Sequence, residues 1–143
     1  MRVKVQGGSE IELTQKNFLA SGGEGQIYVI GDTTYKLYND PSQMIPVGKI
    51  TELGEIRTPY VIKPEKILIG AKNIPVGFTS KFIHNEGALC QLFTRAFRER
   101  NGVTPTQVGE LVKKLQSIVS GVHQAKCLVV DLNEMNFLLG SKL

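Results

Sequence analysis

The chain is expected to fold as an α+β protein, and three features of its sequence say so. Short β-like runs broken by glycine fill the first half, apolar residues recur at helical spacing in the second, and strand-like character returns near the end. "RVKVQ" and "EIELT" flank Gly7 and Gly8 and read as a hairpin. "NFLASGGEGQIYVIGDTTYKLY" reads as three more short strands, with turns at its glycines and at Gly31-Asp32. "VIKPEKILIG" and "IPVGFTSKFI" form a further pair around "AKN". Between these groups, "PVGKITELGEI" is a short helix weakened by two glycines and by Thr51.

The second half begins with "GALCQLFTRAFRERNG", where Leu89, Leu92, Phe93, Ala96 and Phe97 share one helical face and Asn101-Gly102 supplies a stop. A second helix is marked more firmly. Thr104, Pro105 and Gln107 provide an N-cap, a first-turn proline and a capping-box partner. Val108, Leu111, Val112, Leu115, Ile118, Val119 and Val122 then form a single apolar stripe. After it, "KCLVVDLNEMNFLL" is expected to be a buried strand interrupted by a loop. No internal repeat or flexible linker is evident.

With 143 residues, 41% hydrophobic and 21% charged, the composition is that of one soluble globular domain. No apolar run approaches the roughly 18 residues of a membrane span, and "MRVKVQGGSE" has no apolar signal segment. A cytoplasmic protein with no membrane partner is the expectation. Cys90 and Cys127 have no metal-ligating spacing around them and read as reduced, packed thiols. The net charge of +4 is scattered, with "RAFRER" the nearest thing to a cluster. That bias suits an anionic ligand and does not point to nucleic acid.

Chemistry concentrates in three places. Gly22, Gly23 and Gly25 lie between two strand-like segments, a context that excludes a P-loop or dinucleotide fold, both of which require a helix after the glycines. Such a turn can instead cover phosphates with its backbone N–H groups, or be an ordinary hairpin turn. Lys36 follows in "TTYKLYND", flanked by Tyr35, Leu37 and Tyr38 as a half-buried ammonium would be. Asp131 and Asn136 stand five residues apart in "DLNEMN", between apolar runs. Their simplest reading is an Asp/Asn turn; the alternative is a loop that carries a base and a metal ligand.

Taken together these features resemble the protein-kinase-like superfamily, across residues 13 to 139. "ASGGEGQI" is similar to the family's glycine-rich loop, with Ala20, Gly22 and Gly25 at the glycine positions and Ile27 at the apolar residue that follows. "YKLY" matches its lysine strand and "DLNEMN" its catalytic loop, while His123 in "SGVH" falls where the family carries a structural histidine. The resemblance implies a kinase-like small lobe over residues 1–83, a twisted antiparallel sheet with one short helix. It implies that residues 84–143 are the first two helices and catalytic loop of a large lobe. It also implies ATP and Mg2+ as ligands and phosphoryl transfer to a Ser or Thr hydroxyl. Lys36 would hold the α- and β-phosphates beneath a flap of Gly22, Gly23 and Gly25. Glu52, in preference to Glu55, would pair with Lys36; Asp131 would accept the hydroxyl proton; Asn136 would bind the metal. A hinge near Lys81, Phe82 and Ile83 would hydrogen-bond adenine, and His84 would lie at the surface.

Departures bear on activity. Ala20 replaces the first glycine, Val129 and Val130 replace the His-Arg pair usual before the aspartate, and Asn133 replaces a lysine. The wording is closer to bacterial or phage kinase-like proteins and to small-molecule phosphotransferases. Only "FLLGSKL" follows Asn136, without the metal-binding aspartate of a DFG-like motif. The expectation is a truncated domain, inactive alone, with apolar helix surface left to an oligomer or a partner protein. A non-catalytic nucleotide-binding pseudokinase and a small-molecule phosphotransferase are the competing readings.

Overall fold

The computed structural model describes residues 1–84 and 87–140. The chain is α+β and divides into two compact units, Met1–Ile56 with Ile62–Phe82, and Arg57–Val61 with Ile83–Leu143. The exchange of Arg57–Val61 into the second unit is not announced by the sequence.

The first unit is a curled antiparallel sheet of seven strands in the order β2-β1-β6-β7-β5-β4-β3. Its strands are β1 (Arg2–Val5), β2 (Glu10–Glu12), β3 (Phe18–Ser21), β4 (Gly25–Ile30), β5 (Thr33–Tyr38), β6 (Pro64–Ile69) and β7 (Pro75–Lys81). Each hairpin expected from its glycines forms. Pleating sends alternate residues to opposite faces, and β5 obeys this: Tyr35 and Leu37 are buried while Lys36 and Tyr38 are half-buried. Tyr35 and Leu37 join Val3, Val5, Leu13, Leu68 and Val76 in the core on one face. On the other face the register aligns Ile27, Lys36, Phe78 and Ile67 across neighbouring strands.

The helix α1 (Val47–Gly54) packs on β6 and buries Ile50. Ile50 and Thr51 line a shallow cavity with Ile67, so α1 lies on the Lys36 face. Two glycines make α1 a poor helix on its own, and its C-terminal end is held by the Lys63 ammonium, which donates to Gly54 O and Ile56 O at 2.5 Å each.

In the second unit the first expected helix is broken. A 3-10 helix covers Leu89–Phe93 and α2 covers only Arg95–Arg100. Thr94 makes the break: its hydroxyl donates to Gln91 O (2.8 Å) and accepts from the Phe97 N–H (3.3 Å), ending one helix and capping the next. Phe93, expected on a buried stripe, is consequently 67% exposed. The helix α3 (Pro105–Gln124) starts at the expected capping box, where Gln107 N–H donates to Thr104 Oγ1 (3.2 Å) and Thr104 N–H to Gln107 Oε1 (2.8 Å). Leu92 and Phe97 pack with Leu139 into a small core beside Leu111 of α3. Segment Arg57–Val61 runs close along α3, where a Cβ on Gly121 would stand 2.8 Å from the Thr58 methyl.

The strand expected around "CLVV" does not form. Among the described residues of this unit only β8 (Gly87–Ala88) and β9 (Leu138–Leu139) pair, and the run before Asp131 is not in a strand. Leu128 and Val130 are 79% and 91% exposed, while Val129 is half-buried, so Val130 does not anchor the loop in a packed frame. Both cysteines are half-buried free thiols. Among the described residues no helix is long and apolar enough to cross a membrane. The last three residues of "FLLGSKL" lie outside the described residues.

Lys63 supplies the end of α1 with a charged cap. Replacing it with Met should lower the unfolding free energy by about 1–2 kcal/mol, the cost of stranding the Gly54 carbonyl at the helix end and the Ile56 carbonyl just past it. A urea midpoint equal to that of the wild type would show that the carbonyls are satisfied without it.

Candidate functional site

Two groups of polar side chains stand out, one in each unit. The first is built on β5. A Cβ added to Gly25 would collide with the Leu37 carbonyl, and one on Gly77 with the Lys36 carbonyl. Only glycine lets β4 approach the Leu37-Tyr38 peptide, and β7 the Lys36-Leu37 peptide, this closely. Gly25 therefore acts through packing, whereas a Cβ on Gly22 or Gly23 would meet nothing within 4 Å. These two belong to the exposed part of the turn between β3 and β4.

The turn is tied down. Gly22 N–H donates to Gly25 O (2.9 Å), and Asn39, just past β5, donates its side-chain amide to Gly22 O (3.3 Å) and Gly23 O (3.2 Å). The Asn39 N–H donates to Glu24 O (3.0 Å). With its carbonyls engaged from the β5 side, the turn keeps the N–H groups of Gly23 and Glu24 outside its internal bonds.

Lys36 projects from the α1 face of the sheet. Its Nζ lies 4.8 Å from the centre of the Tyr38 ring and 5.9 Å from that of Phe78, so two aromatic faces hold the ammonium. It donates to Glu24 Oε2 at 2.7 Å. The hydrogen bond and the charge of Lys36 hold the Glu24 carboxyl below the usual glutamate range. Glu52, expected as the partner of Lys36, instead pairs with Lys49 one helical turn away at 3.0 Å. The pairing has a geometric reason: a glutamate hanging from the adjoining turn reaches Lys36 directly, while Glu52 meets an oppositely charged neighbour at i−3 on its own helix.

Other expected residues fall as follows. Ala20 is exposed in β3 opposite Ile27, which is half-buried beside Lys36. Lys81 ends β7 opposite Thr33, and the next backbone N–H, that of Phe82, is already donated to Asp32 O (2.8 Å). Ile83 is the first residue of the second unit's longer segment, and His84 is exposed.

The second group lies on the loop between α3 and β9. Asn133 Nδ2 donates to Asp131 Oδ1 (2.6 Å), and Asn136 Nδ2 donates to Asp131 Oδ2 (2.8 Å) and Asp131 O (2.9 Å). The five-residue spacing thus closes a compact loop that brings Asp131 and Asn136 together. Because the Asn136 nitrogen faces Asp131, its amide oxygen points the other way. Asn133 also fixes the loop by accepting the Met135 N–H at 2.9 Å. His123 is exposed in the last turn of α3 and takes no part in this network.

Sequence reasoning missed Glu24 and Asn39. The signals were present: one carboxylate inside a glycine turn, and an amide at the end of the lysine strand. Among the described residues no three His, Cys, Asp or Glu side chains are grouped as a metal site. The donors present are hard oxygens, which suit magnesium, an ion that takes most of its ligands from water and phosphate.

A depressed folded-state pKa makes the contribution of the Glu24–Lys36 pair complete above the unfolded carboxylate value and lost as pH falls through the depressed one. The Glu24 side-chain carboxyl, followed by NMR, should titrate below the usual range and return to it in Lys36→Met. Gly25→Ala should cost about 1–3 kcal/mol by forcing β4 from β5, and Gly23→Ala should stay within about 0.5 kcal/mol. Equal losses in chemical denaturation would remove the distinction drawn between these glycines. Compared with known protein families and with curated proteins, the chain matches none.

Proposed function

We propose that the chain is an ATP-binding, protein-kinase-like domain whose site serves phosphoryl transfer from ATP to a Ser or Thr hydroxyl. The observation that carries the proposal is the anionic oxygen held 2.7 Å from Lys36 Nζ by the glycine turn. The location that favours a carboxylate oxygen there would favour a phosphate oxygen as well, since both are accepted by the same ammonium. The order of elements supports the reading: a glycine hairpin, then the lysine strand, then a helix on the lysine's face of the sheet.

In this reading Lys36 binds the α- and β-phosphates, and the N–H groups of Gly23 and Glu24 face phosphate oxygens from the flap. Asp131 orients the acceptor hydroxyl and takes its proton; Asn133 and Asn136 fix the direction of its carboxylate. Asn136 Oδ1 would hold magnesium, which when bound would neutralise phosphate charge. A hydroxyl on a protein or on a small molecule would meet the same base, so acceptor class follows from surfaces outside this pair. A second reading, a nucleotide-binding module without catalysis, is favoured by one observation: both Asp131 oxygens already accept hydrogen bonds.

A non-hydrolysable ATP analogue with magnesium should raise the melting temperature, and at one hundred times its Kd the gain is about 2.7 kcal/mol. Lys36→Ala should abolish this shift and Asn136→Ala should remove its magnesium dependence. Asp131→Asn should keep the shift and lower any γ-phosphoryl transfer by at least about a hundredfold. A wild-type chain that the nucleotide does not stabilise would refute the proposal, and transfer in wild type that is lost in Asp131→Asn would exclude the non-catalytic reading.

A further inference from the structure

We propose that Glu24 is a resident competitor for the phosphate position on Lys36, so that nucleotide enters by displacing this carboxylate. The inference rests on the nucleotide reading and adds a form of self-occlusion to it.

The two partners differ in how firmly they are held. Lys36 rises from the middle of a sheet, with a side chain 25% exposed and two aromatic rings beside its ammonium. Glu24 hangs from a turn and its side chain is 76% exposed. Asn39 fixes the backbone of the turn through Gly22 O, Gly23 O and Glu24 O, which aims the Glu24 side chain back at β5. The side chain itself has no other hydrogen-bond partner among the described residues. Rotation about its own bonds therefore releases the ammonium while leaving lysine and flap in place. Glu24 is the movable half of the pair and Lys36 the fixed half.

Charge gives the contact its consequence. An approaching phosphate meets an ammonium already neutralised, and it meets the repulsion of the displaced carboxylate nearby. A ligand with one phosphate competes poorly with a tethered anion, whereas a di- or triphosphate brings further oxygens to the flap N–H groups at the same time. The contact thus disfavours inorganic phosphate and nucleoside monophosphates and admits polyphosphates. The discrimination is modest, because a solvent-exposed ion pair is a weak barrier.

The test compares the full chain with Glu24→Gln, Glu24→Ala, Lys36→Met and the Glu24→Gln/Lys36→Met double variant, all checked for native circular dichroism. A non-hydrolysable ATP analogue with magnesium, AMP and inorganic phosphate are titrated calorimetrically at low ionic strength. Glu24→Gln and Glu24→Ala should tighten the analogue by about two- to fivefold and narrow its preference over AMP. The gain should shrink as salt is added, and it should vanish in the Lys36→Met background. Without any nucleotide, acylation of Lys36 by an amine-reactive ester, read by mass spectrometry, should be faster in Glu24→Gln than in wild type.

Unchanged or weakened analogue binding in both Glu24 variants, with loss in Lys36→Met, overturns the competitor role while leaving the nucleotide site standing. Absence of binding in wild type and in both Glu24 variants overturns the nucleotide reading, and the competitor role with it. Equal acylation of Lys36 in wild type and Glu24→Gln overturns the contact itself.

Discussion

Two successive carbonyls of β5, those of Lys36 and Leu37, have no room for a side chain on the strand that each one faces, and the arrangement of the first unit follows from that constraint. A Cβ on Gly77 of β7 would strike the Lys36 carbonyl, and one on Gly25 of β4 the Leu37 carbonyl. Close approach on both sides places β5 in the interior of the sheet, with Leu37 in the core and Lys36 on the face that carries α1. The same approach brings the β3-β4 turn over the end of β5. There the Asn39 amide can hold the turn's carbonyls, and Glu24 can reach Lys36. Glycine here serves first as a spacing device. The exposed backbone at Gly22 and Gly23 is a separate property of the same short stretch.

Features that depend on neighbours in sequence were legible in advance. Alternating burial in β5, the hairpins at glycine pairs and the Thr104-Gln107 capping box each involve residues a few positions apart, and each formed as expected. Features decided by competition were not. Thr94 carries a hydroxyl that serves the backbone on either side of it, and this local alternative defeats a periodicity that otherwise reads as one continuous helix. The apolar run of Cys127 to Val130 has strand composition but acquires no partner, so composition alone misread it.

The candidate site shows the same division. The spacing of Asp131 and Asn136 announced a closed loop, and the loop is closed by hydrogen bonds between those two side chains. The partner of Lys36 was not legible from spacing, which offered Glu52 and Glu55 on the helix and passed over Glu24 in the turn. What decided it was the direction in which the turn presents Glu24 and the presence of Lys49 beside Glu52. Electrostatic pairing in a sheet is settled by backbone direction before charge is considered, and backbone direction is a three-dimensional property.

The segment Arg57–Val61 has a consequence for how the chain is made and cut. The polypeptide passes from one unit to the other after Ile56, back after Val61, and across again after Phe82. Neither unit is therefore a continuous stretch of gene, and no single proteolytic nick can release one from the other. During synthesis Thr58 emerges long before Gly121, the residue it packs against, so this contact is made only once α3 has left the ribosome. The second unit thus matures late, and it does so around a short piece of chain threaded through the sequence of the first.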